Sequence, residues 1–296
     1  MVNGLIITGA NGFLGKAISK SFIGEKQITL GRSNSDIICD LATQVPKLPS
    51  VDIIIHAAGK AHSVPKTEQE KQEFFNVNVK GTENLFKGLE QSPSLPKAFV
   101  FISSVSVYGT ENGIGIDESY PLNAADPYGQ SKIQAEKIVA DWCIKNNVVC
   151  GILRLPLLVG INPPGNLGAM INGIRKGYYF NVGGGKARKS MVMAEDVATI
   201  IPKLAEVGGT YNLTDGIHPS FNELSKYISN QLNKNLILNM PVGFAKALAK
   251  IGDLIPEFPL NSKKLDKITS DLTFSDDKAR SALDWSPRSV LNSFKV

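Results

Sequence analysis

A glycine-rich segment near the N-terminus constrains the fold of this chain more than any other feature. The apolar run at residues 1–8 is followed at once by Gly9, Gly12 and Gly15, and then by an amphipathic stretch over residues 13–22. A short apolar run that ends in a glycine cluster is typical of a buried parallel strand. The order of strand, glycine turn and helix predicts the first unit of a doubly wound α/β sheet.

The same alternation continues through the first half of the chain. Further apolar runs, separated by helix-like or polar segments, lie at residues 27–30, 51–56, 98–102 and 148–153. Right-handed crossovers between such strands produce a parallel sheet with helices on both faces. We therefore predict an α/β fold, with a Rossmann-type doubly wound sheet over residues 1–155. A smaller, mixed substrate-binding region is expected over 156–296, with segments near 190–215 returning to the sheet.

Composition and charge exclude several other classes. The 296 residues are 43% apolar and 20% charged, which is typical of an ordinary globular protein. The net charge of +5 comes without the run of about six like charges that marks a nucleic-acid arm. Three scattered cysteines indicate a reducing compartment, and neither a signal peptide, a membrane span nor a metal-ligand cluster is recognisable. We expect a cytoplasmic protein that holds no metal and contacts neither nucleic acid nor membrane.

The glycine loop has the chemistry of a pyrophosphate site. Gly9 would permit the tight turn, Gly12 the approach of backbone N–H groups to the phosphates, and Gly15 close packing of helix on strand. The loop residues predicted to bind a dinucleotide are Gly9, Asn11, Gly12, Phe13, Leu14 and Gly15.

The end of the second predicted strand bears on the choice between NAD and NADP. An acidic residue there would hold the ribose 2′-hydroxyl of NAD, whereas an arginine accommodates the 2′-phosphate of NADP. The chain has Arg32 and Ser33 at this position, and the next acidic residue is Asp36. NADP(H) is therefore favoured and NAD(H) stays possible, in which case Arg32 would be a surface residue. Asp40 and Leu41 could border the adenine.

A tyrosine and a lysine share one face of another predicted helix. Tyr128 and Lys132 are spaced i, i+4 behind an Asp-Pro pair that is typical of a helix start. A neighbouring ammonium stabilises phenolate, so Tyr128 could exchange a proton with a sugar or alcohol hydroxyl during hydride transfer. Ser104, at the tip of the strand over 98–102, could hydrogen-bond the same oxygen.

Taken in chain order, these motifs resemble the extended short-chain dehydrogenases/reductases of the NAD-dependent epimerase/dehydratase family. The segments that carry the resemblance are TGANGFLG at 8–15, HAAG at 56–59, NVKGT at 78–82, FISSVSVYG at 101–109, YGQSK at 128–132, LRLPLLVG at 153–160 and SDDKARSALDWSP at 275–287. The resemblance implies that Ser104, Tyr128 and Lys132 are catalytic.

The resemblance also implies further cofactor contacts and an assembly. Ala57, Ala58, Gly59 and Pro156 would contact the nicotinamide, and Asn78 would help to order the active-site helix and its water. Helices near residues 70–90 and 128–146 would pair across a homodimer.

Residues after the catalytic serine separate the reactions known in this family. Members that resemble dehydratases carry an Asp-Glu pair there, whereas this chain has Val105 and Ser106, so dehydration is disfavoured. The chain is similar to the 4-keto reductases and 4-epimerases of bacterial surface-polysaccharide synthesis.

Three hypotheses follow for the function. The first is an NAD(P)H-dependent reductase of a nucleotide-activated, UDP-linked 4-keto sugar, with Tyr128 as the general acid for hydride transfer at C4. The second is a UDP-hexose 4-epimerase with tightly bound NAD. The third, from another class, is a non-catalytic dinucleotide-sensing regulator. Arg32 favours the reductase, because net reduction draws on a free NADPH pool.

A nucleotide-sugar diphosphate needs cations for its recognition. Arg188 and Lys189 lie where the family commonly has a diphosphate-binding arginine, and both stay candidates because only arginine offers a bidentate fork. His62, Val105 and Asn166 are further candidates for substrate contact.

Overall fold

A sheet of seven parallel strands carries the fold of the computed structural model, which describes residues 4–61, 63–234, 237–255, 258 and 260–296. In chain order the strands are β1 (Leu5–Thr8), β2 (Gln27–Gly31), β3 (Ile37–Ile38), β4 (Ile53–His56), β5 (Ala98–Ser104), β6 (Gly113–Ile116), β7 (Val149–Leu155), β8 (Leu157–Val159), β9 (Phe180–Val182), β10 (Met191–Met193), β11 (Gly209–Asn212), β12 (Leu238–Met240) and β13 (Leu272–Phe274). The α-helices are α1 (Phe13–Ser21), α2 (Glu68–Phe75), α3 (Gly81–Glu90), α4 (Pro127–Asn146), α5 (Gly165–Lys176), α6 (Ala194–Val207), α7 (Phe221–Gln231), α8 (Val242–Leu254), α9 (Ser262–Thr269), α10 (Asp277–Leu283) and α11 (Val290–Ser293). Short turns of other helical types lie at Asn76–Lys80, Val105–Tyr108 and Gly183–Gly185.

The strand order of the central sheet places a crevice at one edge. The spatial order is β11, β7, β5, β4, β1, β2 and β3. The chain runs outward from β1 through β2 to β3 on one side, and from β4 through β5 and β7 to β11 on the other. The order therefore reverses between β1 and β4, and ligands bind beyond the carboxyl ends of strands at such a switch point. The predicted Rossmann-type α/β class is confirmed.

Alternating side chains of the strands build one core on each face of the sheet. In β5, Val100 belongs to a cluster with residues of α1 and α6, whereas Phe99 and Phe101 belong to a cluster with residues of α3 and α4. Successive strand residues point to opposite faces, so a strand covered on both sides must be apolar at nearly every position. This double burial explains the continuous apolar runs of the sequence.

The C-terminal part is mixed and contains two-stranded parallel pairs. These pairs are β8 with β10, β9 with β12, and β6 with β13. Strand β11 instead lies at the edge of the central sheet, beside β7. The division of the chain at residue 155 stays a prediction.

A buried polar chain ties α4, β5, β7 and β11 together. The Arg154 guanidinium donates to the carboxylate of Glu136 at 2.8 Å, and the Ser103 hydroxyl donates to the same carboxylate at 2.5 Å. Arg154 also donates to the Tyr108 hydroxyl at 3.2 Å, which in turn donates to Asn212 Oδ1 at 2.8 Å. The two buried charges are thus paired and hydrogen-bonded, as burial of an ion pair requires. The chain fixes the position of α4 against the sheet.

Candidate active site

The glycine loop closes the crevice at the end of β1. Gly9 has a φ of +70°, and a Cβ there would lie 2.7 Å from the Ala58 nitrogen. A Cβ at Gly15 would overlap the carbonyl oxygen of Gly9. Gly12 is the N-cap of α1 and brings no side-chain cap, which leaves first-turn N–H groups directed outward. The loop therefore fits a pyrophosphate.

Two loop residues expected to contact the cofactor also pack the start of α1. Leu14 is buried in the core beneath the sheet, and Phe13 packs against its edge. A Cβ at Gly160 would lie 3.1 Å from the Phe13 ring, so the loop meets the end of β8. The glycine loop thus contacts the C-terminal part of the chain.

The turn after β2 is held by the glycine loop. The Asn11 side-chain amide donates to the carbonyl oxygen of Ser33 at 2.8 Å and to that of Asn34 at 3.0 Å. Arg32 follows β2 directly, is exposed, and makes neither a hydrogen bond nor an ion pair with the described residues. Asp36 is occupied, because its carboxylate accepts from the Thr29 nitrogen and hydroxyl, both at 2.8 Å. These bonds lower the pKa of Asp36.

Asp40 and Leu41 follow β3, and Leu41 packs beside α3. The Asp40 carboxylate accepts from the Ala42 nitrogen at 3.0 Å. Leu41 is buried, and its carbonyl oxygen accepts from the Asn84 amide at 2.8 Å. The two residues lie beyond the carboxyl end of β3, where a contact with adenine stays a prediction.

The segment after β4 passes between the glycine loop and helix α4. The Ala58 nitrogen donates to the Thr8 hydroxyl at 3.1 Å, which joins the ends of β4 and β1, and Ala57 lies beside it. A Cβ at Gly59 would lie 3.1 Å from Asn78 Oδ1 and 3.3 Å from Lys132 Nζ. A larger residue at Gly59 would therefore crowd the ammonium of Lys132.

Asn78 lies in a π-helical turn that interrupts the chain between α2 and α3. Its side-chain amide donates to Ser131 Oγ at 2.8 Å and to the Lys60 carbonyl oxygen at 3.1 Å, while its Oδ1 accepts from the Lys60 nitrogen at 2.7 Å. Ser131 donates onward to the carbonyl oxygen of Tyr128 at 2.7 Å. Such turns occur frequently at functional sites. Asn78 thereby positions the first turn of α4.

A buried histidine, which sequence reasoning assigned no role, links the same elements. The Thr82 hydroxyl donates to the Asn78 carbonyl oxygen at 2.7 Å, so its oxygen accepts from His56 Nε2 at 3.0 Å. His56 Nδ1 then accepts from the Thr8 hydroxyl at 2.6 Å. Burial, with the nearby Lys132 ammonium, lowers the pKa of His56 to about 3. The ring is therefore neutral and positions β1, β4 and the π-helical turn.

The three residues predicted to be catalytic meet at the carboxyl edge of β5. Ser104 ends that strand, and Tyr128 and Lys132 occupy the first turns of α4, whose N-cap Asp126 accepts from the Gly129 nitrogen at 3.0 Å. Burial raises the pKa of the half-buried Tyr128, and hydrogen bonding with Ser104 acts in the opposite direction. The phenol therefore lies beside the Ser104 hydroxyl and is protonated at neutral pH.

Lys132 carries its ammonium into the interior. Nζ donates to the Ile102 carbonyl oxygen at 2.8 Å and lies 4.6 Å from the centre of the Phe101 ring. Burial lowers the pKa of Lys132 to about 8, although the Glu136 carboxylate acts in the opposite direction. A cation and a neutral acid thus share the end of one strand, an arrangement suited to proton transfer at an oxygen.

One predicted nicotinamide contact, Pro156, and the remaining predicted substrate contacts have different surroundings. Pro156 follows β7 directly, and Val105 starts the turn after β5. Asn166 is exposed in the first turn of α5, and His62 lies outside the described residues. Among the described residues, no group of three or more His, Cys, Asp and Glu side chains could hold a metal ion.

Arg188 and Lys189 point in different directions. Arg188 donates to the His218 carbonyl oxygen at 3.0 Å and lies 3.6 Å from the Glu223 carboxylate. The Lys189 ammonium is buried and has no hydrogen-bond partner among the described residues. Burial lowers the pKa of Lys189, while Glu111 acts against that shift.

The family follows from the sequence as a whole. The sequence model of the NAD dependent epimerase/dehydratase family matches residues 5–214, which contain the glycine loop, the π-helical turn and the three clustered residues. The chain belongs to the NAD-dependent epimerase/dehydratase family. The resemblance to this family that was inferred from the motifs is confirmed.

Similar proteins include epimerases and a dinucleotide complex. The N-acetyl-alpha-D-glucosaminyl-diphospho-ditrans,octacis-undecaprenol 4-epimerase of Escherichia coli O157:H7 is 27% identical over 80% of this chain and 74% of its own. A UDP-N-acetylglucosamine 4-epimerase structure from Bacillus cereus has a TM-score of 0.75 at 22% identity, covering 98% of this chain and 96% of that one. RMD from Pseudomonas aeruginosa, complexed with NADPH, has a TM-score of 0.72 at 20% identity, with 98% and 96% coverage.

Burial of Lys132 predicts a pH-dependent stability difference. The folded pKa of about 8 lies below the ordinary 10.5, so burial of the charged form costs stability below pH 8, and the cost disappears as the pH rises towards 10.5. Replacing Lys132 by Met should therefore raise the free energy of unfolding of the cofactor-free protein at pH 7, by up to about 3 kcal/mol. The gain should shrink between pH 8 and 10.5 in thermal or urea unfolding.

Lys137→Met is the matched control, because Lys137 is exposed on the same helix. It should show no such pH dependence. A Lys132→Met difference that stays constant across this pH range would contradict the assignment.

Proposed function

We propose that this protein is an NADPH-dependent reductase of a nucleotide-activated 4-keto sugar, with Tyr128 as the proton donor. The observation that carries the proposal is the meeting of Ser104, Tyr128 and the buried Lys132 at the sheet edge beside the glycine loop. Val105 and Ser106 follow Ser104 in place of an acid-base pair, which argues against dehydration. A non-catalytic regulator would not need a phenol and an ammonium at one strand end.

The chain's own residues suit the reductive direction. The nicotinamide, when bound, supplies the hydride to the carbonyl carbon. Ser104 and Tyr128 would hold the carbonyl oxygen between their hydroxyls, and Tyr128 would donate its proton to that oxygen as it becomes an alcohol. The raised pKa of Tyr128 keeps this proton in place until it is needed. Lys132 would then stabilise the phenolate that remains.

Arg32 supports NADPH over NADH. It stands at the end of β2 with no partner among the described residues, and Asp36 is committed to Thr29. A guanidinium there offers the planar donors that a 2′-phosphate accepts. The RMD complex with NADPH supports the compatibility of this fold with that cofactor.

The second candidate is a UDP-hexose 4-epimerase that retains NAD. The names of the similar proteins from Escherichia coli and Bacillus cereus favour it, since both are 4-epimerases. An epimerase must first remove a proton from the sugar hydroxyl, for which Tyr128 would have to be a phenolate. The two candidates therefore differ in the protonation state of Tyr128 that starts the reaction.

Lys189 is the better of the two candidates for the substrate diphosphate. Its buried ammonium lacks a hydrogen-bond partner among the described residues, whereas Arg188 already contacts His218 and Glu223. A buried unpaired cation costs stability unless an anion joins it, so a diphosphate oxygen would complete this site. The substrate of the Escherichia coli relative also carries a diphosphate, by its name. A UDP group, a homodimer and a cytoplasmic location stay predictions.

The role of Tyr128 predicts the outcome of removing one oxygen atom. With a UDP-4-keto-6-deoxyhexose and NADPH, the wild-type enzyme should consume about one NADPH per sugar. The loss of NADPH absorbance measures this consumption. Tyr128→Phe should bind NADPH normally and lose activity by about a hundredfold or more. Full turnover by this variant would refute the mechanism. Interconversion of UDP-sugar epimers without net NADPH loss would instead establish the epimerase.

The role of Arg32 predicts a change of cofactor. Arg32→Asp should lower kcat/KM for NADPH relative to NADH by about tenfold or more, because an anion would replace the cation that meets the 2′-phosphate. Arg175→Asp makes the same charge change at an exposed site on α5 and should leave the ratio unaltered. An unaltered ratio in Arg32→Asp would remove the argument for NADPH.

The choice between the two cations predicts a difference in KM. Lys189→Met should raise KM for the nucleotide sugar by about tenfold with little change in KM for NADPH. Arg188→Met should have the smaller effect, because that side chain is engaged by Glu223. The reverse order would assign the diphosphate to Arg188.

A further inference from the structure

Helix α8 presents an apolar stripe that no part of the described chain covers. Its inner face is small and buried, through Ala245, Ala249 and Gly252. A second stripe, at helical spacing, contains Phe244, Ile251 and Leu254, whose exposed fractions are 59%, 46% and 84%. Ile255 extends it beyond the helix. Large apolar side chains exposed side by side mark an interaction surface.

Cations flank this stripe on the same helix. Lys246 and Lys250 are spaced i, i+4, are exposed, and form no ion pair with the described residues. The carboxylate of Asp253 is already occupied, because it accepts from the Ser262 nitrogen at 2.9 Å and from the Ser262 hydroxyl at 2.6 Å. The stripe thus has an unbalanced positive border.

We infer that α8 docks this protein on the surface of an anionic phospholipid bilayer. A helix with exposed Phe, Ile and Leu beside lysines suits the interface plane, where apolar side chains enter the acyl boundary and ammonium groups meet lipid phosphates. In the described ranges, no helix is long and apolar enough to cross a membrane, and docking requires no crossing. The inference departs from the prediction of no membrane contact, because that prediction rested on the absence of a spanning segment and did not consider a helix that lies on the surface.

Charge argues against a second copy of the chain as the occupant. Two copies related by a two-fold axis would bring the same patch to both sides of the interface. Lys246 and Lys250 would then face a patch that carries the same two lysines and no free carboxylate of α8 to pair with them. Anionic headgroups complement this border, whereas a self-contact opposes it.

The patch lies near the residues expected to meet the diphosphate. Helix α8 packs against α9, whose Lys267 is 2.9 Å from the Glu111 carboxylate in the surroundings of Lys189. A Cβ at Gly183, just before Arg188 and Lys189, would lie 2.6 Å from the Val242 side chain. Docking would therefore bring Arg188 and Lys189, the candidates for binding the substrate diphosphate, close to the bilayer. This last step rests on the proposed function, and the docking itself does not.

A tryptophan at the stripe tests insertion directly. Trp142 and Trp285 are both buried, so Phe244→Trp adds the one exposed indole of the described chain. Its emission should shift to shorter wavelength with vesicles of phosphatidylcholine containing about a quarter phosphatidylglycerol, and much less with phosphatidylcholine alone. Concentrated salt should weaken the response, because the lysine contribution is screened. An unshifted emission with the anionic vesicles would overturn the inference.

Flotation with the same vesicles tests the two components separately. The double variant Phe244→Ser and Leu254→Ser should lose about tenfold or more in vesicle affinity. Lys246→Gln with Lys250→Gln should weaken binding to the anionic vesicles alone. Ile23→Ser removes an aliphatic side chain that is 76% exposed outside α8 and should bind as the wild type does. Wild-type binding by the double serine variant would overturn the inference.

Activity and oligomeric state separate this inference from the proposed function. The α8 variants should keep wild-type NADPH oxidation with a soluble nucleotide 4-keto sugar, and Tyr128→Phe should float normally. Normal flotation without any sugar reduction would refute the proposed function alone. The docking would be overturned if the wild-type protein were a dimer that fails to float and the double variant Phe244→Ser and Leu254→Ser were a monomer. That result would show that a second copy covers the stripe.

Discussion

The burial of one ammonium group constrains the size and the charge of the side chains around it. Lys132 has a single carbonyl partner, the oxygen of Ile102, and an aromatic face beside it. The Glu136 carboxylate acts against the cost of this burial, and other neighbours leave the ammonium room or are uncharged. Gly59 leaves the room, and His56 stays neutral next to it. The phenol of Tyr128, one helical turn away, is the group on which that cation can act.

Much of this arrangement could be predicted from local sequence. The glycine spacing after an apolar run, the Tyr128 and Lys132 pair, and Ser104 at a strand end each reflect a short-range rule of backbone geometry or helix periodicity. Parallel strands then bring their carboxyl ends to one edge without further information. The family and the fold class follow from those features.

The parts that escaped prediction depend on residues far apart in the chain. The contacts of His56 with Thr8 and Thr82 span 48 and 26 residues, and a histidine at a strand end does not reveal them. The position of Lys189 depends on its bridge to Leu272, a residue far later in the chain. The sequence did contain one signal for the polar network of Glu136 and Arg154. Glu136 continues the i, i+4 series from Tyr128 and Lys132, which places a carboxylate on the same helix face.

Two neighbouring serines on β5 make contacts on opposite sides of the strand. Ser104 faces the phenol, whereas Ser103 faces the opposite way and joins the polar chain of Glu136 and Arg154. That chain ends on Asn212 of β11, well beyond the predicted boundary at residue 155. A fragment that stops at the boundary would keep the buried Arg154 but lose the strand that covers its outer side. We therefore expect the first 155 residues and the strand that returns to their sheet to unfold together, whatever separate roles they have in binding.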